Sequence, residues 1–338
     1  MPASGYRAPP WLRGGHLQTI WPAKLAPKHP VAYRRERWDT PDGDFIDVDL
    51  LDDGAAAAAD ARPTPFVVMF HGLEGSSQSH YALSLMQALA DAGWRGAVAH
   101  FRGCSGELNR MPRAYHSGDS DEIDWILRRF AATHAAGAPL HAVGVSLGGN
   151  ALLKWLGERE DAAGFVQSAV SVSPPQDLAA GAQALSQGFN RVYTASFLVS
   201  LRRKSLRQLA RYPGLFDRAR MLAARDFFEF DDTVTAPLHG FASCHDYWRR
   251  SSCKPLLGGI RVPTAIIHAL NDPFLPASAL ATQAEVSRQV TLDYSDEGGH
   301  VGFVIGAPPG RLDWLPARIL SHLAGRGGEI RQTERDDG

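Results

Sequence analysis

Six short apolar runs, spaced by segments of amphipathic helical pattern, constrain this chain more than any other feature. Phe66-Val67-Val68-Met69-Phe70 is continuous in apolar residues, as a strand must be when both faces of its sheet are covered. Ala97-Val98-Ala99, His141-Ala142-Val143-Gly144-Val145, Ala169-Val170-Ser171-Val172, Ala265-Ile266-Ile267-His268 and Val290-Thr291-Leu292 repeat the theme. Residues 81–92, closed by Gly93, and residues 121–133 read as helices, the second with acidic residues in its first turn where the macrodipole favours them. Residues 151–156 lie in a further helix. This alternation predicts an α/β fold with a mostly parallel central sheet flanked by helices. Ahead of it, residues 34–51 have the pattern of a hairpin turning at Pro41-Asp42-Gly43.

Folds of this class reach 338 residues as one domain, so a single domain spanning 1–338 is expected. The rhythm changes over residues 174–254, where Phe197, Leu198 and Leu201 are spaced along one helical face. That stretch predicts a helical cap inserted after one strand. The alanine tract 55–61 reads as a low-complexity loop, and 325–338 as a frayed polar tail. A formal net charge of -1 steers the chain neither to nucleic acid nor to a polycation, so any charged partner must meet a local patch. Three cysteines without a dense pattern fit a reducing compartment better than a disulfide framework. Residues 1–20 lack the apolar run of a signal peptide, and no stretch approaches the roughly 20 apolar residues of a spanning helix. The cytoplasm is the expected location.

Gly144-Val145-Ser146-Leu147-Gly148 is a G-x-S-x-G between an apolar strand and a helix-compatible segment. A nucleophile on a sharp strand-to-helix turn needs close-packed neighbours, which is why glycines flank it, and the helix start brings a backbone N–H to a developing oxyanion. The pentapeptide alone is weak; a plain tight turn is the alternative. Serine needs a base, and in α/β hydrolases the chain order is nucleophile, acid, base. Asp272, in Asn271-Asp272-Pro273-Phe274, follows one strand, and His300, in Gly298-Gly299-His300-Val301-Gly302, follows the next. His322 is the other histidine beyond Asp272, within an amphipathic helix; Asp293, Asp296 and Glu297 are weaker rivals to Asp272. His71-Gly72-Leu73-Glu74-Gly75 closes the first central strand, where such folds place the second oxyanion donor. The Leu73 and Leu147 amides are the expected pair, a simple strand-exit turn being the alternative.

Together these residues resemble the YheT-like family of α/β hydrolases. Gly15-His16-Leu17-Gln18-Thr19-Ile20 resembles that family's N-terminal signature and is far more specific than G-x-S-x-G. Arg102-Gly103-Cys104-Ser105-Gly106, Phe230-Asp231-Asp232, His239-Gly240-Phe241, Asn271-Asp272-Pro273-Phe274 and Gly299-His300-Val301-Gly302-Phe303 extend the match from about Trp11 to Leu320. The resemblance implies an α/β-hydrolase fold and hydrolysis of carboxylic esters, with acyl transfer or lipid ester cleavage as variants. A thioesterase, or a hydrolase-fold binding module without turnover, are further alternatives. It implies no cofactor. His16 has no evident catalytic part and is expected to lock the N-terminal arm.

Other clusters carry less. His239, Cys244, His245 and Cys253 match no recurrent zinc spacing, so no metal is expected. Cys104 reads as a packed turn residue before it reads as a reactive thiol. Arg202-Arg203-Lys204, with Arg207 and Arg211, is a solvated helix face or, alternatively, a contact for an anionic head group or peripheral membrane surface. The expected partner is a small-molecule or lipid acyl ester. The sequence fixes no oligomeric state.

Overall fold

The computed structural model describes residues 5–51 and 63–325, so the 55–61 tract and all but Gly325 of the 325–338 tail lie outside the described residues. Strands β1 (Tyr33–Asp39), β2 (Phe45–Leu51), β3 (Phe66–Phe70), β4 (Arg95–Ala99), β5 (Leu140–Val145), β6 (Ser168–Val172), β7 (Thr264–Ala269) and β8 (Val290–Ser295) form one sheet. Their spatial order is β1-β2-β4-β3-β5-β6-β7-β8. β1 and β2 are the expected hairpin, turning through Gly43 at φ 82°, and β2 joins β4 antiparallel. From β4 to β8 every pairing is parallel.

Each parallel strand feeds two cores because successive side chains point to opposite faces. Val67 and Met69 of β3 pack with α2 (His80–Asp91) and α11 (Trp314–Leu323). Phe66, Val68 and Phe70 pack on the other face with α3 (Ser120–Ala132) and α4 (Leu147–Arg159). Burying each such side chain stabilises the fold by about 1.5–3 kcal/mol. β4 lies on one side of β3 and β5 on the other, so the winding reverses at β3. A crevice opens at the carboxyl ends of strands at such a switch point.

Between β6 and β7 the chain is helical, as its pattern predicts: α5 (Leu178–Leu185), α6 (Asn190–Arg211), α7 (Arg218–Ala223) and α8 (Phe227–Phe230) come first. A π-helical turn (Asp231–Thr235), α9 (Ala236–Leu238) and α10 (Cys244–Ser251) complete it. Asp177, Asp217, Asp226 and Ser243 cap four of these helices with their side chains, worth about 1 kcal/mol each. Leu198, Met221, Ala224, Phe230 and Val234 form a small core within the insertion.

One helix was not expected. α1 (Gly15–Lys24) carries the N-terminal signature, and its buried residues are Gln18, Thr19 and Pro22. A helix whose hidden face is polar has no apolar period to read.

Candidate active site

Ser146 sits at the end of β5 with φ 53° and ψ -119°, a left-handed backbone that few non-glycine residues adopt. Its N–H donates to the Val172 carbonyl at 2.8 Å, tying the turn to β6. The flanking glycines are steric necessities. A Cβ on Gly144 would stand 2.5 Å from the Gly148 carbonyl oxygen, and one on Gly148 would stand 2.5 Å from those of Phe70 and His71.

Asp272 leaves β7 in a tight turn, its N–H donating to Ala269 O at 2.9 Å. Its Oδ1 accepts the Phe274 N–H at 2.8 Å, and its Oδ2 lies 2.8 Å from His300 Nδ1. His300 Nε2 lies 3.0 Å from Ser146 Oγ. The carboxylate can only accept, so Nδ1 carries the proton and Nε2 is left to accept from the serine hydroxyl. Burial alone would raise the Asp272 carboxyl, but the imidazoles of His300 and His268 and the Phe274 N–H outweigh it and hold it below its ordinary value. The Phe274 ring stacks on His300 at a centroid distance of 4.1 Å. The structure therefore brings together all three residues named from sequence. The rivals lie elsewhere: Asp293 pairs with Arg318 at 2.5 Å, and His322 is in α11.

The loop after β3 packs on the same serine: a Cβ on Gly72 would stand only 3.1 Å from Ser146 Cβ. His71 is buried and neutral, its basicity pushed down to about 3 by burial and the nearby His100. Its Nδ1–H donates to Gly72 O and its Nε2 accepts the Phe101 N–H, which makes it a structural turn residue. The amides beside Leu73 are taken: Gly72 N–H donates to Tyr81 Oη at 3.0 Å and Glu74 N–H to Tyr115 Oη at 2.9 Å. Leu73 N–H has no acceptor among the described residues, and Leu147 N–H opens α4, where no intrahelical acceptor exists. Glu74 itself holds φ 56°. Its carboxylate accepts from Tyr115 Oη at 2.8 Å and from Lys204 Nζ of α6 at 2.7 Å.

Ser146, His300, Leu73 and Leu147 line a cavity of about 710 Å³. Leu201, Phe216, Phe227, Phe230, Val234 and Leu238 of the insertion supply much of its apolar wall. The sequence motifs within the insertion also reach it. Asp231, pushed up to about 6 by burial, accepts from Thr235 and Trp248, and His116 and His239 meet there with ring centroids 4.4 Å apart.

Three features noted in the sequence can be placed. His16 is exposed, yet it packs on Phe189 and on Tyr193 of α6 and lies 3.2 Å from the Tyr193 hydroxyl, so it ties the arm to the insertion, while the buried Gln18 and Thr19 tie it to the loops of Asp272 and His300. The basic run is divided: Lys204 turns inward to Glu74 and Arg202 donates to Ala224 O, while Arg203, Arg207 and Arg211 are exposed, the last donating to Asn109 O. Cys104 lies 3.3 Å from Lys204 Nζ, with its thiol pushed up to about 11 by burial. Sequence reasoning gave no part to Gln18 and Thr19 beyond membership of the N-terminal signature and none to Tyr81, Tyr115 and His268, because none of the five sits in a pattern with chemical meaning of its own.

A strand-borne serine, an imidazole and a carboxylate at the crevice of a doubly wound sheet define a class, and residues 65–307 match the model for the alpha/beta hydrolase fold. The chain belongs to that family. Within it the chain is YheT-like: it is 41% identical over 310 residues to the esterase candidate YheT of Escherichia coli, covering 91% of this chain and 89% of that one. It is 27% identical over 308 residues to Phospholipase ABHD3 of Homo sapiens, covering 90% and 75%. Among solved structures, the Pyrococcus furiosus esterase Pf2001 shares the fold, with a TM-score of 0.56 at 16% identity over 88% of this chain and 92% of that one.

Proposed function

We propose that this chain hydrolyses carboxylic esters through an acyl-enzyme on Ser146. The observation that carries the reading is the continuous hydrogen-bonded line from Ser146 Oγ through His300 to Asp272, ending at an apolar cavity. His300 Nε2 takes the serine proton as Oγ attacks the acyl carbon, and Asp272 keeps the imidazole in the right tautomer and stabilises the imidazolium. The carbonyl oxygen gains charge against the Leu73 and Leu147 N–H groups, each worth about 2.7–4 kcal/mol in the transition state. His300 then returns the proton to the leaving alcohol. Water, deprotonated by the same nitrogen, frees the acid and restores the serine.

The insertion acts as a cap whose apolar wall receives the acyl chain, within a single domain. Lipid esters suit such a wall, and the names of YheT, ABHD3 and the Danio rerio Monoacylglycerol lipase ABHD2, 27% identical over 330 residues, agree with acyl esters as substrates. Contact with an anionic membrane surface would draw on Arg203, Arg207 and the exposed Arg211 of the basic run. Among the described residues no helix is long and apolar enough to cross a membrane.

A fluorophosphonate probe tests the reading. Wild type is expected to label, Ser146→Ala not at all, and folded His300→Ala far more slowly, since removing one member of such a triad costs on the order of 10⁴–10⁶ in turnover. Labelling that persists in Ser146→Ala would assign the chemistry to another residue.

A further inference from the structure

The loop that carries His300 is not self-supporting. Val301 and Phe303 hold φ 57° and 45°, conformations that non-glycine residues keep only where surroundings over-determine them. Val301 itself is held by His80 Nε2 on its carbonyl at 3.0 Å and by Ser173 Oγ on its N–H at 3.2 Å, and the chain that follows is held from the other end of the sequence. Tyr6 Oη donates to Val304 O at 2.9 Å, Trp11 Nε1 to Gly306 O at 2.9 Å and Trp21 Nε1 to Pro309 O at 2.7 Å.

At the centre of this contact lie Gln18 and Thr19, both buried. Thr19 Oγ1 has a single proton, which goes to the Gly15 carbonyl at 2.7 Å, so its lone pair is aimed at the His300 N–H at 2.9 Å. Gln18 Oε1 accepts from Asn271 Nδ2 at 2.9 Å and from Gly298 N–H at 2.8 Å, while its Nε2 donates to Leu12 O at 2.8 Å. Asn271 Oδ1 in turn accepts the Gly299 N–H at 2.9 Å. One glutamine thus joins the loop bearing Asp272 to the loop bearing His300. The approach is close enough to exclude side chains: a Cβ on Gly15 would stand 2.0 Å from Asn271 O, and one on Gly302 2.0 Å from Gln18 O.

We propose that Gln18 and Thr19 are positioning residues that set the distance between the acid and base loops and the approach of the His300 ring to Ser146. The inference rests on the triad reading above and gives the N-terminal signature a task. Gln18 stays out of the cavity, and Thr19 borders it beside Ile20 and His300 with its hydroxyl committed to Gly15 O and the His300 N–H, so loss of the pair acts on turnover more than on substrate affinity.

The test compares full-length wild type, Thr19→Val and Thr19→Ser, using p-nitrophenyl butyrate kinetics, fluorophosphonate labelling rate and the low-field proton resonance of the His300 Nδ1–H. Thr19→Val is expected to melt cooperatively, lose about 100-fold in kcat and labelling rate with KM within about 2-fold, and lose or broaden the resonance. Thr19→Ser restores the hydroxyl and is expected to return within about 3-fold of wild type. Thr19→Ala, which places no methyl against the His300 N–H, covers the case in which the valine chain does not fold. A folded Thr19→Val or Thr19→Ala that labels at the wild-type rate with an unchanged resonance overturns the proposal, and so does a Thr19→Ser as impaired as the valine. If wild type neither labels nor turns over, the esterase reading falls, while the response of the resonance to Thr19 still decides this one.

Discussion

The two sides of Ser146 are held by different physics. On the base side, His300 and Asp272 stand on loops joined by neutral donors and acceptors from α1, all buried, with glycine contacts too close for any side chain. On the side proposed to hold the oxyanion, the Leu73 loop is fixed by two tyrosine hydroxyls and by an ion pair, Glu74 with Lys204, whose lysine belongs to the helical insertion. The base side is thereby built from the two ends of the fold. The oxyanion side depends on where the insertion sits. Neutral buried hydrogen bonds specify geometry without requiring a charge to be desolvated, whereas a mostly buried ion pair specifies it only while both partners are in place.

The contrast breaks most decisively at Asp272. Asp272→Asn keeps shape but offers an N–H to Nδ1, driving the imidazole into the wrong tautomer; kcat is expected to fall about 10⁴-fold with little change in KM. A loss below about 10-fold in steady-state kinetics would mean that position, not charge, is the contribution of this residue. On the other side, Lys204→Met leaves Glu74 buried with only Tyr115 for company, its side chain 11% exposed. Because the oxyanion donors are tilted and not removed, the expected loss is about 10-fold in kcat. The double variant Lys204→Met with Glu74→Gln should recover most of the stability lost in thermal melts, as it removes the unpaired charge. Additive losses in that cycle would show that the insertion does not hold the loop through this pair.

The asymmetry also explains what could be read in advance. The sheet, and the serine, histidine and aspartate proposed as a triad, were legible because each is carried by residues with a local signature: continuous apolar strands, glycines pressed against Ser146, and a histidine and an aspartate at successive strand ends. The insertion was legible as helical, yet its cavity wall was not, since Phe216 and Leu201 meet only in three dimensions. Gln18 and Thr19 were legible as part of the N-terminal signature, but their task was not: they form the buried face of a helix by pairing with backbone groups about 280 positions away, and polar residues in a helical stretch ordinarily read as its wet side. Lys204 escaped for the mirror reason. It stands in a basic run, where solvent exposure is the ordinary reading, and its neighbours Arg202 and Arg211 are also spent on carbonyls.

The smallest expected effect sharpens the comparison through pH. His268 of β7 is buried beneath Asp272, 3.5 Å from its Oδ2, with neither ring nitrogen hydrogen-bonded among the described residues. Burial pushes its basicity down to about 4 from 6.5, the attraction of Asp272 notwithstanding. Between those values the unfolded chain binds a proton that the folded chain refuses. Stability tied to this group is therefore present above about 6.5 and drains away as pH falls towards 4, at up to about 1.4 kcal/mol per pH unit. His71 does the same on the oxyanion side with a value of about 3. His268→Phe removes one such group without orphaning a partner, so its melting temperature is expected to match wild type near pH 7.5 and to fall less steeply below pH 6. Its fluorophosphonate labelling at pH 7.5 should stay within about 3-fold, because Asp272 retains His300 and the Phe274 N–H. A variant that melts with the wild-type pH slope would place the acid-labile group elsewhere, and the neutral character of the base side would then lose this part of its support.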